Sequence, residues 1–211
     1  MTWRFASHCR AAVSGGDLVL LDLHRGDYSC IPRGGAVLAP DGGVFGAADV
    51  DLLAALRAEG LVVEGEVERP TSIAAPSWAL GAAPGAPTWG QRWRLVRALV
   101  DLLVHFRGRS FPHLIGAAQR RPRPTAPAPR ERLAFEVSAF FALLPWVPFQ
   151  GVCLYRAYLL LRMLHHAGLD ATWVFGVRTW PFEAHCWLQV EELALDDDLD
   201  HVAGYAPILA V

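Results

Sequence analysis

Between residues 71 and 88 the chain reads TSIAAPSWALGAAPGAPT, a run of Ala, Pro, Gly and Ser with no sustained hydrophobic period. A stretch so poor in large apolar side chains anchors no element of its own, which predicts a linker between residues 1–70 and 89–211. The flanking parts carry different hydrophobic periods, so each is expected to fold around its own pattern.

Before the linker, TWRFASHCRAAV, DLVLLDL and DYSCI read as strands, separated by SGGD and HRGD, which are hairpin signals. Residues 36–41 suit a short helical turn. In GAADVDLLAALRAEGLV, Val50, Leu53, Ala54 and Leu56 recur at helical spacing, with Asp49 and Asp51 favouring the start and Gly60 the end. LVVEGEVERP then reads as a short strand or wing. Residues 1–70 thus predict a small winged-helix-like module.

After the linker, QRWRLVRALVDLLVHFRG predicts a helix whose buried face is Trp93, Val96, Leu99, Val100 and Leu103. The Arg/Pro-rich stretch QRRPRPTAPAPR reads as a solvated connection, and ERLAFEVSAFFALL as a second helix. A third helix lies in GVCLYRAYLLLRMLHHAG, with Leu154, Ala157, Tyr158, Leu161 and Leu164 as its stripe and Gly168 as its stop. His165 and His166, in its last turn, read as surface histidines near the negative end of the helix. Beyond Gly168 the period becomes two, and ATWVFGVR, EAHCWLQV and LALDD predict three short strands in an antiparallel sheet packed on the helices. The expected fold class is α+β.

Composition narrows the function. All 19 basic residues are arginine, so neither a P-loop lysine nor a Schiff-base lysine is available. Residues 1–70 hold 6 Arg against 10 acids, and residues 71–211 hold 13 Arg against 11, which leaves neither part a nucleic-acid footprint. Proline or charge breaks every apolar run well short of the roughly 20 residues that span a bilayer, so no membrane segment is expected. Residues 1–20 lack the pattern of a secretion signal, which makes a cytoplasmic address the expectation. Cys9, Cys30, Cys153 and Cys186 are widely spaced and form neither a disulfide framework nor a metal knuckle, so free thiols and no metal or cofactor are expected.

Cys153 stands where the third helix begins, and the positive end of a helix favours a thiolate. Position alone is weak ground, because free cysteines commonly pack as small hydrophobes. A base is supplied by His185, at the start of the strand EAHCWLQV. Alternation along that strand puts His185, Trp187 and Gln189 on one face and Cys186, Leu188 and Val190 on the other, so Cys186 reads as a structural thiol. The third requirement is a group that fixes the imidazole tautomer, and Asp196, Asp197, Asp198 and Asp200 are all candidates, within reach through a tight turn at Glu191–Glu192. Cys at a helix start, His on the next strand and Asp on the strand after is the order of a papain-like or transglutaminase-like thiol enzyme.

The segments CLYRAYLLLRMLHHAGLDATWVFGVR, PFEAHCWLQV and LALDD resemble the leader peptidase of lasso-peptide biosynthesis, the B protein family. DLVLLDLHRGDYSCIPRGG followed by a helix is similar to the PqqD-like leader-recognition element that some members carry fused at the N-terminus. The resemblance implies a transglutaminase-like peptidase domain over 89–211 and a leader-recognition element over 1–70. It implies Cys153 as nucleophile, His185 as general base of an H-A-W motif and Asp197 as the orienting acid of an N-D pair. Ala157, Cys186 and Asp196 depart from the family pattern of serine, alanine and asparagine, and Asp196 leaves the choice between 196 and 197 open. The oxyanion hole would include the Cys153 N–H, with the Gln150 side chain as a weaker candidate. The leader would add a strand along Tyr28, Ser29, Cys30 and Ile31, beside a helix carrying Leu53 and Leu56, although ordinary core packing explains Tyr28, Cys30, Leu53 and Leu56 equally well. Implied partners are a precursor leader peptide and an asparagine-synthetase-like cyclase. On strand alternation, His185→Ala is expected to abolish leader release and Cys186→Ala to keep most of it, measured by mass spectrometry of the products.

Overall fold

A computed structural model of the chain describes residues 3–37, 43–44, 50–66, 73–81, 83, 85–106, 110–119, 129–147 and 153–211. The chain divides into two units, one of Met1–Ile73 with Gly176–Ala184 and Tyr205–Leu209, the other of Ala74–Phe175 with His185–Gly204 and Ala210–Val211.

The first unit begins with β1 (Trp3–Phe5), β2 (Cys9–Ser14), β3 (Asp17–Asp22) and β4 (Asp27–Ile31). Gly15 and Gly16, both at positive φ, close a two-residue hairpin that pairs Ser14 with Asp17, the turn that suits two strands of right-handed twist. β3 is central in the sheet β2-β3-β4 and almost wholly buried, which is why LVLL reads as a continuous apolar run. TWRFASHCRAAV, expected as one strand, is two: the Cys9 N–H bonds back to the Ala6 carbonyl at 2.8 Å, and the turn sends β1 into a separate sheet, β5-β1-β6. That sheet adds β5 (Gly43–Val44) and β6 (Val62–Glu64) on either side of β1.

α1 (Val50–Ala58) turns Leu53 and Leu56 into a core with Ala6, Cys9, Leu18, Leu20 and Val62. It stops at Gly60, where the Gly60 N–H reaches the Arg57 carbonyl and the Leu61 N–H the Leu56 carbonyl, the paired bonds of a left-handed helix cap. In the same unit the segment 179–182 meets the first hairpin. Thr179 donates its hydroxyl to the Ser14 carbonyl, Trp180 donates its indole N–H to Asp17, both at 2.8 Å, and the Phe182 ring lies 5.8 Å from that of Tyr28.

The second unit holds β7 (Trp78–Ala79), α2 (Trp89–Phe106), α3 (Phe111–Gln119), α4 (Arg130–Leu143), α5 (Cys153–His166) and α6 (Leu199–Val202). β8 (Thr172–Arg178), β9 (Glu183–Val190), β10 (Leu193–Ala194) and β11 (Ala206–Ala210) form with β7 a sheet of order β11-β8-β9-β10-β7, of which residues 176–178, 183–184 and 206–209 are counted in the first unit. The three-stranded antiparallel sheet expected from the sequence is thus larger and mixed. β11 follows a short helix, and β7 pairs parallel with β10 from within the presumed linker. β7, with two residues, is too short for a period to be read. α3, in FPHLIGAAQ, is likewise a helix beyond the three expected.

α5 is buried nearly all round, through Ala157, Tyr158, Leu159, Leu160, Leu161, Met163 and Leu164, which makes it the central helix of this unit. Its stop at Gly168 repeats the α1 cap, with the Leu169 N–H on the Leu164 carbonyl. Against it α2 buries Leu95, Ala98 and Leu102, not the expected stripe: Trp93, Val100 and Leu103 are 59%, 54% and 48% exposed. Apolar residues occur nearly all round α2, and the side that packs is the one whose ion pairs find partners. Arg94 meets the buried Glu136 of α4 at 2.6 Å, and Asp101 receives Arg162 and His166 of α5 at 2.8 and 2.9 Å. His166 is therefore tied down, as is His165 beside Asp170 at 3.6 Å; neither is the free surface histidine expected. Among the described residues no helix is long and apolar enough to cross a membrane.

Leu160→Ala, which empties space in a fully enclosed position, is expected to cost about 2 to 5 kcal/mol in urea denaturation. Val100→Ala, on the open face of α2, should stay within about 0.5 kcal/mol.

Candidate active site

Cys153 is the first residue of α5, where main-chain N–H groups lack helical partners and the helix dipole is positive. Because the rest of α5 is locked in the core, the position of this sulfur is set by packing. His185, in β9, hydrogen-bonds the Cys153 side chain, and the next residue, Cys186, also favours the Cys153 thiolate.

The opposite imidazole position is occupied. His185 Nε2 meets Asp197 Oδ2 at 2.5 Å, which leaves Nδ1 as the ring nitrogen for Cys153. Strand pairing delivers that carboxylate. The turn at Glu191–Glu192, with Glu191 at φ 53, pairs Leu193 with Val190 and Ala194 with Gln189. The pairing continues as the Leu195 N–H bonds the Leu188 carbonyl at 2.9 Å and the Leu188 N–H bonds Asp196 Oδ1 at 2.7 Å, so the next residue, Asp197, falls beside His185. Of the four candidate acids, Asp197 is the one on the ring, and Asp196 is the buried pin one residue earlier.

Two side chains not singled out from the sequence complete the arrangement. His201 of α6 places Nδ1 2.8 Å from Asp197 Oδ1, so the carboxylate serves two imidazoles. Arg156, one turn after Cys153 on α5, reaches Asp197 at 3.4 Å and Asp196 at 4.0 Å. Spacing from Cys153 marks Arg156 as close to the helix start, whereas nothing short of the folded α6 reveals His201.

The charges are mutually dependent. The hydrogen bond from the Cys186 thiol is the largest influence on Cys153; against burial, and with His185 and the Cys186 N–H, it pulls that thiol from an ordinary 9.0 down to about 4. Burial alone would lower His185, but the Asp197 hydrogen bond and the Cys153 charge raise it to about 9. Burial works against Asp197 as well, yet hydrogen bonds from His185, His201 and the Asp198 N–H hold its carboxyl far below the usual range. Asp196 goes the other way, since enclosure raises it to about 6 despite the Leu188 N–H and Arg156. A thiolate beside an imidazolium, oriented by a carboxylate, can attack an acyl carbon and then protonate the leaving group.

Cys186, expected on the face of β9 away from Cys153 and read as a structural thiol, is buried at 2% exposed. Gln150 lies outside the described residues, as do residues 47–49 at the start of the helix expected beside the leader. Tyr28, Ser29, Cys30 and Ile31 lie on β4, which pairs only with β3 among the described residues, whereas Leu53 and Leu56 lie in the first unit's core. Donor atoms of His185, Asp197 and His201, and separately of His8, Asp22 and His24, lie within 4.8 Å of one another; the first set is engaged in its own hydrogen bonds.

Residues 96–210, more than half of the chain, match the family model of the transglutaminase-like superfamily. The chain belongs to that superfamily. Over 49 residues it is 41% identical to the Microcin J25-processing protein McjB of Escherichia coli, a stretch covering 23% of this chain and 24% of that protein. The two matches support the resemblance to lasso-peptide B proteins carried by the sequence motifs. No solved structure matches.

The pH dependence follows from the two shifts. Cys153 is a thiolate above about 4, and His185 keeps its proton until the pH rises through about 9, so the ion pair spans that interval. Alkylation of Cys153 by iodoacetamide, followed by peptide mass spectrometry, should fall off only as the pH drops through about 4, while Cys30, whose pKa burial raises, stays unreactive in mild acid.

Proposed function

We propose that this protein is a cysteine peptidase that binds the leader of a ribosomally made precursor and hydrolyses the leader–core bond in lasso-peptide maturation. The observation that carries the reading is the hydrogen-bonded sequence Cys153, His185, Asp197, with the cysteine opening a buried helix. The McjB likeness points the same way, since that protein is named for processing microcin J25.

The Cys153 thiolate adds to the carbonyl at the end of the leader, and the negative charge that develops on oxygen is met by the N-terminal N–H of α5. His185 gives its proton to the departing core amine, leaving the leader as a thioester on Cys153. His185 then takes a proton from water, the water adds to the thioester, and the leader leaves with a free carboxylate. Asp197 keeps the ring in the tautomer that faces Cys153 and offsets its charge throughout.

Residues 1–70 act as the leader-recognition element, 71–88 as linker and 89–211 as peptidase domain. An added leader strand would run along β4 at Tyr28, Ser29, Cys30 and Ile31, with Leu53 and Leu56 supporting it from the core. The processed precursor would pass to an asparagine-synthetase-like cyclase.

The test uses the full chain with its precursor peptide and partner proteins. Cys153→Ala should lower leader release at least about a thousandfold while leader binding persists. The wild-type product should be a leader with a free carboxylate. Unchanged release by Cys153→Ala would make the protein a non-catalytic leader-binding factor, and a leader–amine adduct would make it an acyltransferase.

A further inference from the structure

The two oxygens of Asp197 face different partners. Oδ2 meets His185 Nε2 at 2.5 Å and Arg156 at 3.4 Å, whereas Oδ1 accepts the Asp198 N–H at 2.9 Å and lies 2.8 Å from His201 Nδ1. The His201 ring also stands 4.7 Å from the His185 ring, centroid to centroid. An ionised carboxylate only accepts, so His201 Nδ1 is the nitrogen that carries a proton. We propose that His201 is a positioning residue for the reaction: its Nδ1–H holds Asp197 Oδ1, so that Oδ2 stays turned to His185. The proposal rests on the reading of Cys153, His185 and Asp197 as a catalytic set.

The last torsion of an aspartate side chain is broad, so its donors decide which oxygen faces which ring. The Asp198 N–H comes from the adjoining residue of the same chain segment, and Arg156 is the most distant of the four partners. His201 is anchored separately. It stands on α6, where Val202 is buried and donates its N–H to the Asp198 carbonyl at 3.0 Å. The charged and titratable groups that meet Asp197 are thus His185 of β9, Arg156 of α5 and His201 of α6, with Asp196 next along the chain. The His201 side chain is 46% exposed, so replacing it opens no core cavity and removes chiefly one hydrogen bond.

The test uses the full chain with its precursor peptide and partner proteins. His201→Ala should lower kcat for leader release about tenfold with KM unchanged, the scale of one hydrogen bond to a charged acceptor. His201→Asn, whose amide nitrogen stands where Nδ1 stood, should recover most of that loss, whereas His201→Phe, which keeps a ring without the donor, should not. A readout free of substrate is NMR of the protein carrying isotope-labelled histidine. The pH midpoint of His185 should fall by about one unit in His201→Ala and His201→Phe and return in His201→Asn. The direction follows because a carboxylate turned away no longer favours the imidazolium. Unchanged kcat in His201→Ala, equal effects in the asparagine and phenylalanine variants, or a His185 midpoint unmoved in all three would overturn the role of His201. Leader release that survives Cys153→Ala would instead overturn the reading on which it rests.

Discussion

The burial of α5 is the constraint on which the site depends. A helix enclosed on nearly every side has one packing solution, and the apolar side chains between Ala157 and Leu164 hold it there. Its first residue is then a fixed point, and the sulfur of Cys153 inherits a precision that a loop cysteine would lack. At the far end, Arg162 and His166 share Asp101 of α2, whereas near the thiol Arg156 meets Asp197.

Around the thiol, ionised groups are gathered at partial burial, which is tolerable only if each is compensated. Asp197 is the hub. It accepts from His185, His201 and the Asp198 N–H, and it lies against Arg156. Asp196, one residue earlier and fully enclosed, has its carboxyl raised to about 6 and serves as a strand-pairing group for Leu188. Neighbouring aspartates thus take opposite roles because one faces imidazoles and the other faces the core.

The first unit uses different means. Its core is small, and two short sheets with one helix close over Leu18, Leu20, Leu53 and Leu56. Polar anchors add definition: Asp17 receives the Arg33 N–H at 2.7 Å and the Trp180 indole at 2.8 Å, so one carboxylate joins the first hairpin to the segment 179–182.

Much was legible in the linear text because it depends on local rules. The Gly-Gly turn at 15–16, the helix stops at Gly60 and Gly168, the tight turn at Glu191–Glu192 and the placing of Cys153 at a helix start follow from backbone preferences and period. The gathering of Cys153, His185 and an aspartate was foreseeable from element order. What the sequence left open is what side-chain reach and three-dimensional register decide. Which stripe of α2 is buried depends on partners for Arg94 and Asp101. The choice of Asp197 over Asp196 depends on how far the β9–β10 ladder runs. Local propensity is written residue by residue, so the sequence by itself determined the elements and their ends. The distance between atoms on different elements is a property of packing, so only the tertiary structure decided which thiol, which acid and which second histidine stand together.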